Sequence, residues 1–161
     1  IKLSRSTLFG TMNKLSEEFE KQIKEYCLIC FSQEVDKRGI KGWQLPTMWA
    51  HYGDNHNGVC LEFDFEPTKL QGYGEHSKIE YVESIPEIAP FDDVPRGNED
   101  EWIESAIPKH IEELKSITFF KKLNDWGVEN EYRIISKANK CQNYFLPINE
   151  ALKVVYLGFR A

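Results

Sequence analysis

The sequence has no excess of basic residues and no long hydrophobic run. Its 161 residues contain 20 Lys and Arg against 26 Asp and Glu, which gives a formal net charge of -6. Proteins that bind the nucleic-acid backbone concentrate Lys and Arg on one face, so this balance argues against such a partner. The longest apolar runs, at residues 26–31 and 154–159, are far shorter than the ~20 residues that span a bilayer. No membrane segment is predicted.

The N-terminus also lacks the pattern of a secretory signal, which is a charged region, an apolar core and a small-residue cleavage site. The cysteines lie mostly in apolar, strand-like contexts, where a free thiol behaves as a small hydrophobic side chain. We therefore expect a reducing, cytoplasmic setting. The chain opens on Ile1, so we expect that something precedes it in the natural protein. The cysteines are Cys27, Cys30, Cys60 and Cys141.

Residues 47–64, TMWAHYGDNHNGVCLEFD, combine aromatic, histidine and acidic residues at a density found nowhere else in the chain. Pro46 can occupy the first position of a helix, which predicts a short helix over residues 46–52. Residues 53–58 contain two glycines, Asp and Asn, and so predict a turn. Residues 58–64 alternate apolar and polar side chains and predict a strand.

The remaining periodicities predict a mixed α/β or α+β fold in one domain over residues 1–161, with a central sheet of about five to six strands and two to four helices. Helices are expected at residues 13–26 and 99–123, the second divided or kinked at Pro108. The apolar run at residues 26–32 predicts a central strand that is buried on both faces. An irregular loop is expected at residues 83–98. Further strands are expected at residues 78–82, 128–136, 144–148 and 154–158.

Glu129, Glu131 and Arg133 form the strongest candidate site. Their spacing of two places all three side chains on one face of the predicted strand. Two neighbouring carboxylates can shift each other's pKa, or can stabilise positive charge that develops in a substrate. The alternative is a solvated surface, on which Arg133 pairs with a carboxylate and adds little stability.

The histidines and cysteines do not match a metal-binding pattern. His51 and His56 are separated by four residues, unlike a metalloprotease helix or a zinc finger. Cys27 and Cys30, three apart on a strand, point to opposite faces and cannot chelate one ion together. We expect no metal site. His51 is predicted to be a helix residue that is hydrogen-bonded to a neighbour, and His56 is predicted to act in the turn.

Several blocks resemble one bacterial family, the domain of unknown function 2971 family. They are CFS at residues 30–32, MWAHYGDNHNGVCLEFD at 48–64, a lysine such as Lys121 followed by W-x-x-E-x-E-x-R at 126–133, and VVYLG at 154–158. Family members usually carry an earlier block that ends in Asn-Asp-Pro, which this sequence does not contain. The chain therefore resembles the C-terminal majority of such a domain. The family name itself assigns no activity.

The order of the blocks also resembles the layout of ADP-ribosyltransferase folds, in which a serine at the end of a strand is followed by an aromatic helix and later by an E-x-E strand. That resemblance implies NAD as the substrate and predicts a cleft between the helix and the acidic strand. It assigns Glu131 to the ribose and Glu129 to the acceptor. Tyr52 or Trp49 would stack on nicotinamide, and Ser32 would order the site. The remaining contacts to the dinucleotide are assigned to His51 and Arg133.

Three functional hypotheses follow from these patterns. The first is an enzyme that uses NAD or a related nucleotide, and the second is a non-catalytic module that binds a small ligand or a partner in the same cleft. The third is purely structural: the aromatic residues are packing and the three charges form a surface ladder, in which case all three charges should be highly exposed. The oligomeric state is left open by the sequence.

Overall fold

The computed structural model describes residues 5–34, 39–65, 74–86, 99–137 and 151–161, and its mixed helices and strands confirm the predicted α/β class. The helices are α1 (Arg5–Ile23), α2 (Pro46–His51) and α3 (Glu99–Phe120). Short 3-10 segments lie at Gly42–Gln44, Asp54–His56 and Asn124–Glu129. The strands are β1 (Tyr26–Ser32), β2 (Val59–Phe63), β3 (Glu75–Lys78), β4 (Glu80–Val82), β5 (Lys121–Leu123), β6 (Glu131–Lys137) and β7 (Leu152–Leu157).

The described strands pair as three small sheets. β6 lies between β1 and β3 in an antiparallel three-stranded sheet. β2 pairs with β7 in an antiparallel ribbon, and β4 pairs with β5 in parallel. β1 is therefore an edge strand among the described residues, and its residues Leu28 and Ile29 are exposed. The prediction of a central strand buried on both faces was wrong, because an apolar run of this length is also compatible with an edge strand that borders a cavity.

The two faces of the three-stranded sheet have different neighbours. Residues directly opposite one another in an antiparallel pair project to the same face, so Ser32, Glu131 and Arg133 share one face. On that face, the end of α3 is tied to the sheet by Arg133 Nη1, which donates to the Phe119 carbonyl at 2.7 Å. On the other face, the ring of Phe31 packs at 5.9 Å from that of Phe63, which ends β2.

The predicted bounds of several elements changed. α1 begins at Arg5, earlier than predicted, and α3 runs through Pro108 without division. The weak strand predicted at residues 78–82 is two short strands, which are separated by the buried Ile79. The strand predicted from residue 128 begins instead at Glu131, because Asn130 adopts a left-handed backbone with φ 43° and ψ 56°.

Some predictions fall on residues outside the described part of the chain. These are the strand at residues 144–148 and most of the irregular loop at residues 83–98. The strands predicted at residues 58–64 and 154–158 are confirmed as β2 and β7, with bounds shifted by one or two residues.

Candidate functional site

The short helix α2 places Trp49 in the core. Pro46 occupies a first-turn position, where the missing N–H costs nothing because that group has no helical partner. Trp49 is buried, and its indole Nε1 donates to the Trp43 carbonyl at 2.6 Å. A Cβ on Gly53 would lie 2.7 Å from the Trp49 ring. The glycine after the helix is therefore required by the packing of the tryptophan.

The turn after α2 contains three consecutive non-glycine residues with positive φ. The angles are 46° at Asp54, 50° at Asn55 and 70° at His56. Left-handed residues cost roughly 1–2 kcal/mol each, so other contacts must hold this segment. Among them, the Arg160 N–H donates to the His56 carbonyl at 3.0 Å. The imidazole of His56 stacks on Trp49, with ring centroids 5.1 Å apart, which confirms its role in the turn.

A cavity of about 710 Å³ opens between β1, α2 and β2, and we call it the aromatic cavity. Its walls are mostly aromatic and aliphatic, and three residues predicted to bind a ligand line it: Ser32, Trp49 and Tyr52. The side-chain Oε1 of Gln33 is buried beside it and has no hydrogen-bond partner among the described residues. Other aromatic residues in the wall are Phe31, Trp43, Phe63, Phe65 and Tyr132.

Next to this cavity lies a charge cluster made of Lys122, Glu129, Glu131 and Arg133. The guanidinium of Arg133 contacts both carboxylate oxygens of Glu131, at 2.6 and 3.0 Å. The ammonium of Lys122 lies 2.5 Å from Glu129 and 3.4 Å from Glu131, and so bridges the two acids. The two glutamates are only 4 % and 6 % exposed. The cluster is an ion-pair network that is largely shielded from water.

The network shifts the pKa of its members. Burial alone would raise the pKa of Glu131, but hydrogen bonds from Arg133 and Cys30 and the charge of Lys122 hold it below its ordinary value. Burial alone would lower the pKa of Lys122, which its contacts with Glu129 and Glu131 raise instead. Burial and the neighbouring Glu131 raise the pKa of the Cys30 thiol to about 11. Glu131 is therefore ionised at neutral pH, and Cys30 is a protonated donor rather than a nucleophile.

Two hydrogen bonds connect the charge cluster to the aromatic cavity. The Tyr52 phenol donates to Glu129 Oε1 at 2.9 Å, and the Ser32 hydroxyl donates to the Glu129 carbonyl at 2.7 Å. Tyr52 and Ser32 both line the cavity, whereas Glu129, Glu131 and Arg133 are not among its lining residues. The predicted residues thus come together, but the acids lie one residue behind the cavity wall.

The hypothesis of an exposed charge ladder was wrong for this site, since both glutamates are buried and Arg133 is half-buried. The prediction that Glu129 shares a strand face with Glu131 was also wrong, because Glu129 ends a 3-10 segment before β6. His51 is exposed on α2, where its ring contacts Tyr52 and Trp126 edge-on. It lies outside the wall of the aromatic cavity.

Sequence reasoning missed three residues of the charge cluster and its surroundings. Lys122 bridges the two acids and places its ammonium 4.8 Å from the centre of the Trp126 ring. The Tyr81 hydroxyl accepts a hydrogen bond from the Glu131 N–H at 3.0 Å. Cys30 donates to the Glu131 carboxylate. One sequence signal could have identified Lys122. Successive side chains of a strand point to opposite faces, so Lys121 and Lys122 of β5 cannot both face the same neighbours.

Within the described ranges, no three His, Cys, Asp or Glu side chains are grouped as metal ligands. Cys27, Cys30 and Cys60 are free thiols. Cys27 and Cys30 lie opposite Ser136 and Arg133 respectively, which are on different faces of β6, so the prediction that they cannot chelate together is confirmed.

None of the helices in the described part of the chain has the length and apolarity needed to cross a membrane.

Comparison with known proteins identifies the family. A family model described as "Protein of unknown function (DUF2971)" matches residues 48–134, which is more than half of the chain. The match includes most of α2, the left-handed turn and the charge cluster. Searches of curated proteins and of solved structures gave no match. The chain therefore belongs to the DUF2971 family.

Proposed function

We propose that this chain binds a small organic ligand with a flat ring in the aromatic cavity. The observation that carries the proposal is the cavity itself, whose volume of about 710 Å³ falls in the range of small-molecule sites. Its walls combine rigid aromatic rings with a small number of polar groups, which is the composition of ligand pockets. Trp49 is fixed in place by its bond to Trp43 and its stack on His56, so part of the wall is preorganised.

Two buried polar atoms of wall residues have no hydrogen-bond partner among the described residues, namely the acceptor Gln33 Oε1 and the donor Trp43 Nε1. The buried Oε1 of Gln33 is an acceptor without a described partner, and such a group costs about 1–3 kcal/mol until it is satisfied. An amide or amine N–H on a bound ring would satisfy it. The exposed phenol of Tyr52, which is held by Glu129, borders the same space.

Ligand-observed NMR with a library of flat heteroaromatic compounds tests the proposal, followed by titration of each hit. Leu61→Trp places a large side chain in the cavity wall and should abolish binding. Leu28→Trp is the matched control, because Leu28 is also an exposed strand leucine but is not a wall residue. A library without hits, or hits that Leu61→Trp leaves unchanged, would refute a ligand site here.

A second candidate function is NAD-dependent ADP-ribosyl transfer, and the bond from Tyr52 to Glu129 favours it because it couples the cavity wall to the acids. In this hypothesis the bond between ribose C1′ and nicotinamide breaks, and nicotinamide leaves with the electron pair. An acceptor nucleophile then forms the new bond to C1′ and loses its proton. The ionised Glu131 would stabilise the oxocarbenium-like charge. Glu131 would first have to exchange a contact with Arg133 for one with the ribose.

Release of nicotinamide from labelled NAD tests the second function. Glu131→Gln and Glu129→Gln should each remove turnover, with Glu20→Gln on the exposed part of α1 as the control. Circular dichroism separates lost chemistry from lost folding. Turnover that is absent in the parent chain, or equal in Glu131→Gln, would exclude this function and leave the binding proposal intact. The bacterial origin and cytoplasmic location stay predictions.

A further inference from the structure

The charged residues in the wall of the aromatic cavity are mostly acidic. Glu34, Glu62 and Asp64 line it, and among the described residues Lys41 is the only basic side chain in the wall. Lys41 is already engaged, since its ammonium lies 3.4 Å from Glu62. Lys153, outside the wall, pairs with Asp64 at 2.5 Å. Among the described residues, three wall carboxylates are thus matched by two ammonium groups, and the third carboxylate, Glu34, is exposed.

The second observation is the set of aromatic faces beside these acids. Trp43 stacks on Tyr156 with centroids 4.6 Å apart, and the Tyr156 hydroxyl donates to Glu62 at 2.5 Å. Aromatic faces attract cations through the negative charge of the ring face, and the attraction grows when water is excluded. Among the described wall residues the one cation, Lys41, is already paired with Glu62, so the described wall favours a cation over an anion.

From these two observations we infer that the aromatic cavity selects a positively charged ligand with a flat ring. This inference rests on the binding proposal and gives the ligand class for the same site. The positive charge lies against the faces of the wall aromatics and near the Glu62 carboxylate.

Three pyridines of nearly equal shape test the charge preference directly. 1-Methylnicotinamide is a cation, nicotinamide is neutral and nicotinate is an anion at pH 7. Each is titrated into the full chain by NMR, with NAD as a fourth probe. The expected order of affinity is the cation, then the neutral ring, then the anion, with at least roughly fivefold between cation and anion.

Two wall variants should change cation affinity in opposite directions. Lys41→Met removes the basic side chain beside Glu62 and should tighten 1-methylnicotinamide binding, whereas Glu62→Gln should weaken it, each by roughly three- to tenfold. Glu62→Gln keeps an acceptor for the Tyr156 hydroxyl, so the wall stays intact. Lys24→Met and Glu20→Gln make the same charge changes in an exposed ion pair at the end of α1 and should have little effect.

The outcomes separate this inference from the binding proposal. Cation preference with opposite shifts in the two wall variants supports it. The charge preference is overturned if the neutral pyridine, the anion or NAD binds as tightly as the cation and Leu61→Trp blocks that binding. The proposal that the cavity binds a ligand would then still hold. If none of the pyridines binds, the affinities of cationic, neutral and anionic hits from the library are compared instead. A preference for cationic hits supports the inference, and its absence overturns it. A library without cavity ligands defeats both.

Discussion

The phenol of Tyr52 donates a hydrogen bond to Glu129 across 77 positions of the chain, and this bond links the end of helix α2 to the segment before β6. Tyr52 is 64 % exposed, whereas Glu129 is buried. The bond therefore joins a buried carboxylate to a wall residue of the aromatic cavity. It also makes the two family blocks, at residues 48–64 and 126–133, parts of one structural unit.

The first prediction concerns this bond. Tyr52→Phe keeps the ring and removes the donor, and it should lower the free energy of unfolding by about 0.5–1.5 kcal/mol. Urea unfolding of Tyr52→Phe, Glu129→Gln and the double variant gives the coupling between the two groups. Tyr26→Phe, which removes a phenol bonded to the exposed Glu112, is the control and should cost less. A coupling energy near zero would show that the bond does not hold the two blocks together.

The second prediction concerns the pair formed by Glu131 and Arg133. Removing one partner of a buried ion pair leaves the other charge uncompensated, so Arg133→Met should destabilise the fold by about 3–5 kcal/mol. Glu131→Gln combined with Arg133→Met should cost less than the sum of the two single changes. Thermal and urea unfolding measure both quantities. Strictly additive effects would mean that Arg133 acts mainly through its bond to Phe119.

The third prediction follows from the lowered pKa of Glu131. A carboxyl group with a depressed pKa in the folded state binds its proton more readily in the unfolded chain. Its contribution to stability is thus full above the ordinary glutamate pKa of about 4.3 and is lost as the pH falls below that value. Unfolding free energy measured between neutral and acidic pH should therefore fall in acid. Glu131→Gln should flatten that fall, and a variant with an unchanged slope would contradict the assignment.

The fourth prediction compares two glycines. A Cβ on Gly158 would lie 2.1 Å from the His56 carbonyl oxygen, so Gly158→Ala must displace the left-handed turn. We expect it to destabilise the chain and to alter the environment of Trp49, which a fluorescence spectrum would report. Gly10 lies within α1, and an added Cβ there would meet no described atom within 4 Å apart from the helix's own backbone. Gly10→Ala should stabilise by roughly 0.5–1 kcal/mol, because alanine has the higher helix propensity. Equal effects at both positions would refute the packing argument.

The sequence by itself determined the local elements and the family. Alternation and proline placement predicted α2 and β2 within about one residue, because these patterns reflect contacts between near neighbours in the chain. The blocks around residues 48–64 and 126–133 also indicated the family that the comparison then showed. Sequence reasoning placed Ser32, Trp49, Tyr52 and Glu131 in one site, and the first three line one cavity.

Tertiary structure decided which of those residues line the cavity and which lie behind its wall. Strand periodicity predicted that β6 begins at residue 128. In the structure the left-handed Asn130 precedes β6, and Glu129 lies in the 3-10 segment before it. Lys122 entered the site because the parallel pairing of β4 with β5 brings its strand beside the acids. Burial then made Glu131 part of an ion-pair network behind the wall, whereas Ser32, Trp49 and Tyr52 remained on the cavity. Local patterns cannot encode that division, because it depends on contacts between segments far apart in the sequence.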